Sequence, residues 1–275
     1  CSPSTESLAN ANEGFAIKFY NYSFTSYNVA AGSGVPDRQT YIKDEYLKSG
    51  YLSKGSFGST SGVKNFTFLF KSIAGGGRKV QYGYLPPNYN YDKKFSLTNF
   101  SMLAVGYFYA EQSGDYTFQL NYVDDQTVVT FGGGDAFTCC QAGTSSTVSK
   151  FDLRALWSSS SPQGDAAIKT YLRAGVYYPI RLFFTNTNYD GGLKFYYTDP
   201  SGVEHETFDD VVYNIPDQSE CPAYKTTTLP WTGAYTTTAY TTYSTYTNSE
   251  GSLTTDQFVV IETPENAATT TTAWT

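Results

Sequence analysis

Short runs of alternating apolar and polar residues, each soon broken by Gly, Asn, Asp or Ser, recur ahead of residue 225 and constrain the fold more than any other feature. Ala16-Ile17-Lys18-Phe19-Tyr20 and Phe66-Thr67-Phe68-Leu69-Phe70 alternate, as do Tyr116-Thr117-Phe118-Gln119-Leu120 and Thr127-Val128-Val129-Thr130-Phe131. Arg181-Leu182-Phe183-Phe184 and Leu193-Lys194-Phe195-Tyr196-Tyr197 follow. A period of two puts alternate side chains on opposite faces of a strand. Many short strands with turn signals between them predict an all-β sandwich or barrel. The chain carries 26 Tyr and 19 Phe, residues suited to a pleated, half-buried surface. Strong helix formers are scarce, and one short helix is predicted from Gln163-Gly164-Asp165 into Ala166-Ala167-Ile168. Residues 32–40 and 56–61 read as surface loops.

Charge narrows the choice of partner. Eighteen basic residues against 25 acidic ones give a net charge of −7, which repels phosphate backbones and anionic lipid. Nucleic acid and membrane surfaces are therefore excluded as expected partners, and no apolar run approaches the ~20 residues of a membrane span. A single His removes most routes to a zinc site or a histidine-based nucleophile. Cys1, Cys139, Cys140 and Cys221 lack metal-ligand spacing and read as two disulfides formed in an oxidising compartment. Adjacent cysteines rarely pair with each other, so Cys139 and Cys140 each reach out to Cys1 or Cys221. Sequons at Asn21, Asn65 and Asn99 agree with secretion, and no signal peptide is visible, as in a mature or trimmed chain.

The composition changes near residue 225. About two in five of the residues from Thr226 onward are Thr, the bias of an O-glycosylated stalk. Leu229-Pro230-Trp231-Thr232 recurs in part as Thr272-Ala273-Trp274-Thr275, which suggests a repeat. Within it, Asp256-Gln257-Phe258-Val259-Val260-Ile261 is strand-like. The expected domains are residues 1–225, the β-sandwich, and 226–275, a Thr-rich stalk.

Two places are candidates for chemistry. Asp124 and Asp125 interrupt an apolar strand pattern, and neighbouring carboxylates are costly there unless they meet a cation. Hard oxygen ligands suit Ca²⁺, although the pair taken alone reads as a solvated turn. Asn186-Thr187-Asn188-Tyr189-Asp190-Gly191-Gly192 links two clear strands and offers amides, a carboxylate and permissive glycines. A glycosidase would need a second facing acid. Asp115, Glu204, Glu206, Asp209 and Asp210 are available, but their spacing reads as acidic surface. His205, between Glu204 and Glu206 and near the turn Asp199-Pro200-Ser201-Gly202, reads as solvated. Gly132-Gly133-Gly134 lacks the Lys-Ser/Thr of a phosphate loop and reads as a β-turn.

Several of these pieces together resemble a known family. Gly106-Tyr107-Phe108, Ser113-Gly114-Asp115-Tyr116-Thr117-Phe118, Val123-Asp124-Asp125 and Ala136-Phe137-Thr138-Cys139-Cys140 occur in order. Tyr177-Tyr178-Pro179-Ile180, Asn186 and Gly191 continue the series. This order resembles the lectin domain of yeast flocculins and epithelial adhesins, of the GLEYA type. Trp231-Thr232-Gly233 and Val260-Ile261-Glu262-Thr263-Pro264 are similar to flocculin repeats. The resemblance implies a β-sandwich of the anthrax protective-antigen-domain type, with Asp124 and Asp125 joined by a cis peptide and both binding Ca²⁺. It implies that Asn186 and the backbone carbonyls of Asn188 and Asp190 complete the shell, and that the ion ligates two vicinal hydroxyls of a terminal sugar. Trp157 would pack on the sugar's apolar face, with Thr187 and Tyr189 in the selecting loop. The family disulfides would map to Cys1–Cys139 and Cys140–Cys221.

The loop Thr187-Asn188-Tyr189-Asp190 looks more like that of galactose-binding epithelial adhesins than that of mannose-binding flocculins. The cysteine-rich insertion of the latter is missing between Phe70 and Tyr84. Terminal galactose is therefore expected first, ends of N-acetylglucosamine or chitin next, and mannose last. The reading is a secreted, cell-wall-displayed, Ca²⁺-dependent lectin for cell adhesion, monomeric, multivalent by display, non-catalytic, with a GPI-type anchor beyond the segment. Its alternatives are a carbohydrate-binding module of a secreted glycoside hydrolase and a structural wall protein whose aspartates hold no calcium.

Overall fold

The computed structural model describes residues 3, 5–22, 43–73, 80–138, 141–144, 147–157, 164–187, 189–217, 224–231, 237–247 and 253–264. The chain divides into two compact units, Cys1–Ser219 and Glu220–Thr275. All four cysteines, Asn188 and the loop expected at 32–40 lie outside the described residues.

The first unit is the expected all-β sandwich. Its larger sheet has eight strands among the described residues. Its longer members are β1 (Phe15–Asn21), β2 (Ser56–Val63), β4 (Phe100–Tyr109), β6 (Gln126–Phe131), β7 (Leu153–Leu156) and β9 (Tyr177–Asn186), with β12 (Val212–Asn214) beside β4. The facing sheet contains β3 (Phe68–Phe70), β5 (Gly114–Asp124), β8 (Gly164–Leu172), β10 (Gly191–Thr198) and the two-residue β11 (Glu204–His205). Every pairing in the two sheets is antiparallel.

Alternation explains what fills the space between the sheets. Met102, Ala104, Leu182, Phe184 and Val129 point inward from the larger sheet and meet Phe118, Leu120, Leu193 and Phe195 from the smaller one. Edge-to-face rings such as Phe108 on Phe118, 5.1 Å apart at 79°, make up much of this core. The outward-facing positions of the larger sheet are also covered. Leu103, Val105, Tyr107, Val128 and Phe183 form a second buried cluster with Tyr46 and Leu47 of the short helix α2 (Asp44–Lys48; α1 is Thr5–Ala9) and with Tyr51. For that reason β4 and β9 read as nearly continuous apolar runs, as strands buried on both faces do.

Two local expectations are corrected. Residues 164–172 form strand β8, not a helix, because they pair with the whole of β5 from Gly114 to Val123. The alanines favour a helix locally, but an edge ladder of this length overrides that weak preference. Residues 56–61 are not a loop but most of β2, paired with β1. One of its glycines is required by packing, since a Cβ on Gly58 would run into the Tyr91 hydroxyl. The strand expected at 66–70 begins at Phe68.

The second unit contains a three-stranded sheet. β15 (Leu253–Pro264), which includes Asp256–Ile261, is central, with β13 (Tyr224–Trp231) parallel on one side and β14 (Thr237–Thr247) antiparallel on the other. Among the described residues no helix is long and apolar enough to cross a membrane.

Candidate functional site

Three connections leave the larger sheet for the smaller one, or return, at the same end of the sandwich. β5 ends at Asp124, opposite Gly192, in the smaller sheet; β6 starts at Gln126, opposite Thr185, in the larger. The chain therefore changes sheets at Asp124–Asp125, and the peptide bond between them is cis, as the resemblance implies. β9 ends at Asn186 and β10 begins at Gly191, so Thr187, Tyr189 and Asp190 make the same crossing beside the acids. Trp157 follows β7 and donates its backbone N–H to the carbonyl of Asp125 at 2.7 Å, which carries it to the pair.

The side chains converge. Asp125 is buried, and its Oδ2 accepts the backbone N–H of Thr187 at 2.7 Å together with the Thr187 hydroxyl. Asn186 is fully buried and donates Nδ2 to the carbonyl of Leu97 at 2.8 Å. That fixes the amide and leaves Asn186 Oδ1 buried with no hydrogen-bond partner among the described residues. Such an atom needs an explanation, because an unsatisfied buried acceptor costs about 1–3 kcal/mol. Gly191 makes the approach feasible, since a Cβ there would sit 2.4 Å from Asn186 Nδ2. Burial pushes the Asp124 carboxyl up to about 8; the charges of Asp125 and Asp190 add to this and Lys71 opposes it. Both carboxylates would ionise together only against a positive charge.

Asp190 plays a different part from the acids. Its Oδ1 accepts the backbone N–H of Ser72 and its Oδ2 the ammonium of Lys71, both at 2.8 Å, so the carboxylate is turned to the end of β3. The atom expected of Asp190 as a ligand was its carbonyl, which these bonds leave out. Tyr189 is half exposed, with φ +56°. No group of three or more His, Cys, Asp or Glu that could hold a metal occurs among the described residues. A cation here would therefore use two carboxylates with amide and carbonyl oxygens, a hard donor set of the calcium kind.

The other acids lie elsewhere. Glu204 pairs with Thr198, six residues along β10 from the partner of Asp124, or about 20 Å at the rise of a strand. Asp115 is nine residues from Asp124 on β5, about 30 Å away. Asp209 binds Lys64, and Glu206 binds Lys194. Neither Glu204 nor Asp115 stands at the 5–9.5 Å from Asp124 that a glycosidase pair requires. His205 stays partly exposed, with its ring stacked on Tyr197 at 4.6 Å and its Nε2 2.9 Å from Asp199 Oδ2. Gly132–Gly134 does form a turn, closed by the Ala136 N–H on the Gly132 carbonyl. Sequence reasoning missed Leu97, Lys71 and Ser72, whose contacts with the site span 89, 119 and 118 residues and leave no local signal.

Comparison with known proteins places this geometry. The GLEYA domain matches residues 100–199. Flocculation protein FLO9 of Saccharomyces cerevisiae is 28% identical over 91% of this chain and 21% of its own length. FLO1 of the same yeast is 30% identical over 80% and 16%. The A domain of epithelial adhesin 6 of Candida glabrata, solved with Galβ1-3GlcNAc, is 30% identical, covers 76% of this chain and 90% of its own, and superposes with a TM-score of 0.66. This chain belongs to the yeast flocculin and epithelial-adhesin family. The epithelial adhesin 9 A domain, also solved with Galβ1-3GlcNAc, gives a TM-score of 0.69 at 27% identity, over 80% of this chain and 96% of that one. The chain spans about a fifth of the length of the flocculin FLO9.

Proposed function

We propose that this chain is the sugar-binding head of a yeast cell-wall adhesin, a non-catalytic lectin that holds Ca²⁺ and binds glycans ending in galactose. The observation that carries the reading is the buried Asn186 Oδ1 beside Asp124–Asp125, which has no hydrogen-bond partner among the described residues and is available to a cation. Asp124, Asp125 and Asn186 would supply side-chain oxygens, and the carbonyls of Asn188 and Asp190 the remainder. The bound ion would ligate vicinal hydroxyls of a terminal sugar. Thr187 holds Asp125 in place through two donors. Trp157, half-buried at the end of β7, is the aromatic offered to the sugar's apolar face. The solved epithelial-adhesin relatives carry galactosides, which supports galactose ahead of N-acetylglucosamine and mannose. Placement at the cell surface, with the rest of a longer protein behind it, follows from the kinship to flocculins.

A shallow site of this kind should hold one sugar at millimolar to micromolar strength, about 4–8 kcal/mol. Titration of Galβ1-3GlcNAc with Ca²⁺ present, then with EDTA, tests the reading. Binding that EDTA abolishes and Ca²⁺ restores is expected. Binding indifferent to EDTA would remove the ion from the site, and no binding to any terminal sugar would remove the lectin.

A further inference from the structure

We propose that Lys71 is a positioning residue for this site: by clasping the Asp190 carboxylate it fixes Tyr189 and Asp190, and so sets which sugar the site accepts. The proposal rests on the glycan-binding reading above. Register brings the two together. Phe70, the last residue of β3, pairs with Gly191, the first of β10, so in an antiparallel ladder the next residue out on each strand is Lys71 and Asp190. The ladder continues beyond its last pair through the Asp190 carboxylate, one oxygen to the Ser72 N–H and the other to the Lys71 ammonium.

The clasp closes a crossing that is otherwise held at its start. Thr187 is anchored on Asp125 by two donors. Tyr189 then turns through a left-handed backbone conformation uncommon for a residue with a side chain, and Asp190 returns the chain to β10. The direction in which Tyr189 leaves the chain follows from the backbone on either side of it, and on the far side Asp190 is fixed by Lys71 and Ser72. The segment it grips is itself tied down, since the Ile73 N–H reaches Gln81 Oε1 at 3.1 Å. With its side chain 81% exposed, Lys71 adds little to global stability, so its effect is local.

The experiment compares the whole chain with Lys71→Met and Lys71→Arg in saturating Ca²⁺. Backbone hydrogen exchange is followed through Tyr189–Gly191, and affinity for Galβ1-3GlcNAc and for N-acetylglucosamine is measured alongside. In Lys71→Met, faster exchange, about a ten-fold loss for the galactoside and an altered ratio between the sugars are expected, with an unchanged melting temperature. Lys71→Arg, which keeps the charge and the reach, should restore all three. Exchange and affinities equal to those of the unaltered chain would overturn the clasp, as would a loss that Arg does not rescue. An unaltered chain that binds neither sugar overturns the glycan reading instead, and the exchange comparison, which needs no sugar, keeps the two failures apart.

Discussion

Gly191 shows how much of the site depends on a side chain that is not there. Its φ is ordinary, so the requirement is space: any Cβ would meet the Asn186 amide, which cannot retreat while Nδ2 is bonded to Leu97. Gly191→Ala should push the amide off its position, costing about 1–3 kcal/mol of overpacking strain and reducing the stabilisation gained from Ca²⁺. Thermal unfolding with and without Ca²⁺ reads both effects, and a Gly191→Ala chain whose calcium-dependent shift matches the parent's would refute the account. The site's polar residues were legible in sequence because each breaks a pattern: two acids in an apolar run, then an amide followed by a Gly-Gly step. Leu97 offers only a carbonyl, which every residue has, and Lys71 looks like any surface lysine until β3 is paired with β10.

At the scale of elements, legibility followed burial. Strands with one or both faces in the core, such as β5 and β10, announced themselves through Tyr, Phe, Leu and Val. β2 and β8 have few buried residues and carry Ser, Gly and Ala, so their identity comes from neighbours and not from their own pattern. The outer face of the larger sheet holds one charge that neither pattern nor packing explains. Arg181 on β9 is fully buried among Tyr51 and Phe183; it donates Nη2 to the Tyr51 hydroxyl at 3.1 Å, while Nε and Nη1 have no hydrogen-bond partner among the described residues. Burial lowers its pKa, with the tyrosines only partly offsetting this. A buried charge without a counter-ion stabilises less than an apolar side chain of similar volume. Arg181→Met should therefore leave the denaturation midpoint unchanged or raise it. Arg181→Ala, which opens a cavity, should lose about 2–4 kcal/mol. A Met variant as unstable as the Ala variant would show that the guanidinium is held by something worth more than its desolvation.

The whole molecule consists of two compact units, and the site lies wholly within the first. Asp124, Asp125, Asn186, Gly191, Leu97 and Lys71 are positioned by strands of one sandwich, and none of their hydrogen bonds described above reaches residue 220 or beyond. The Thr-rich segment should therefore be dispensable for the binding of a single sugar. A chain of residues 1–225, which retains all four cysteines, should bind Galβ1-3GlcNAc with the affinity of the full chain to within about two-fold, well inside the ten-fold that 1.4 kcal/mol represents. Weak single-site binding becomes adhesion only by repetition, and many heads on one surface raise avidity by about 10²–10⁴ without any new contact. The two statements are tested together: calorimetry on the free chains of 225 and 275 residues, then retention of galactoside-coated beads by particles bearing many copies of each. Equal affinities in solution with a large gain on particles are expected for both lengths. A ten-fold weaker 1–225 chain in solution would mean that the second unit contributes to the site after all.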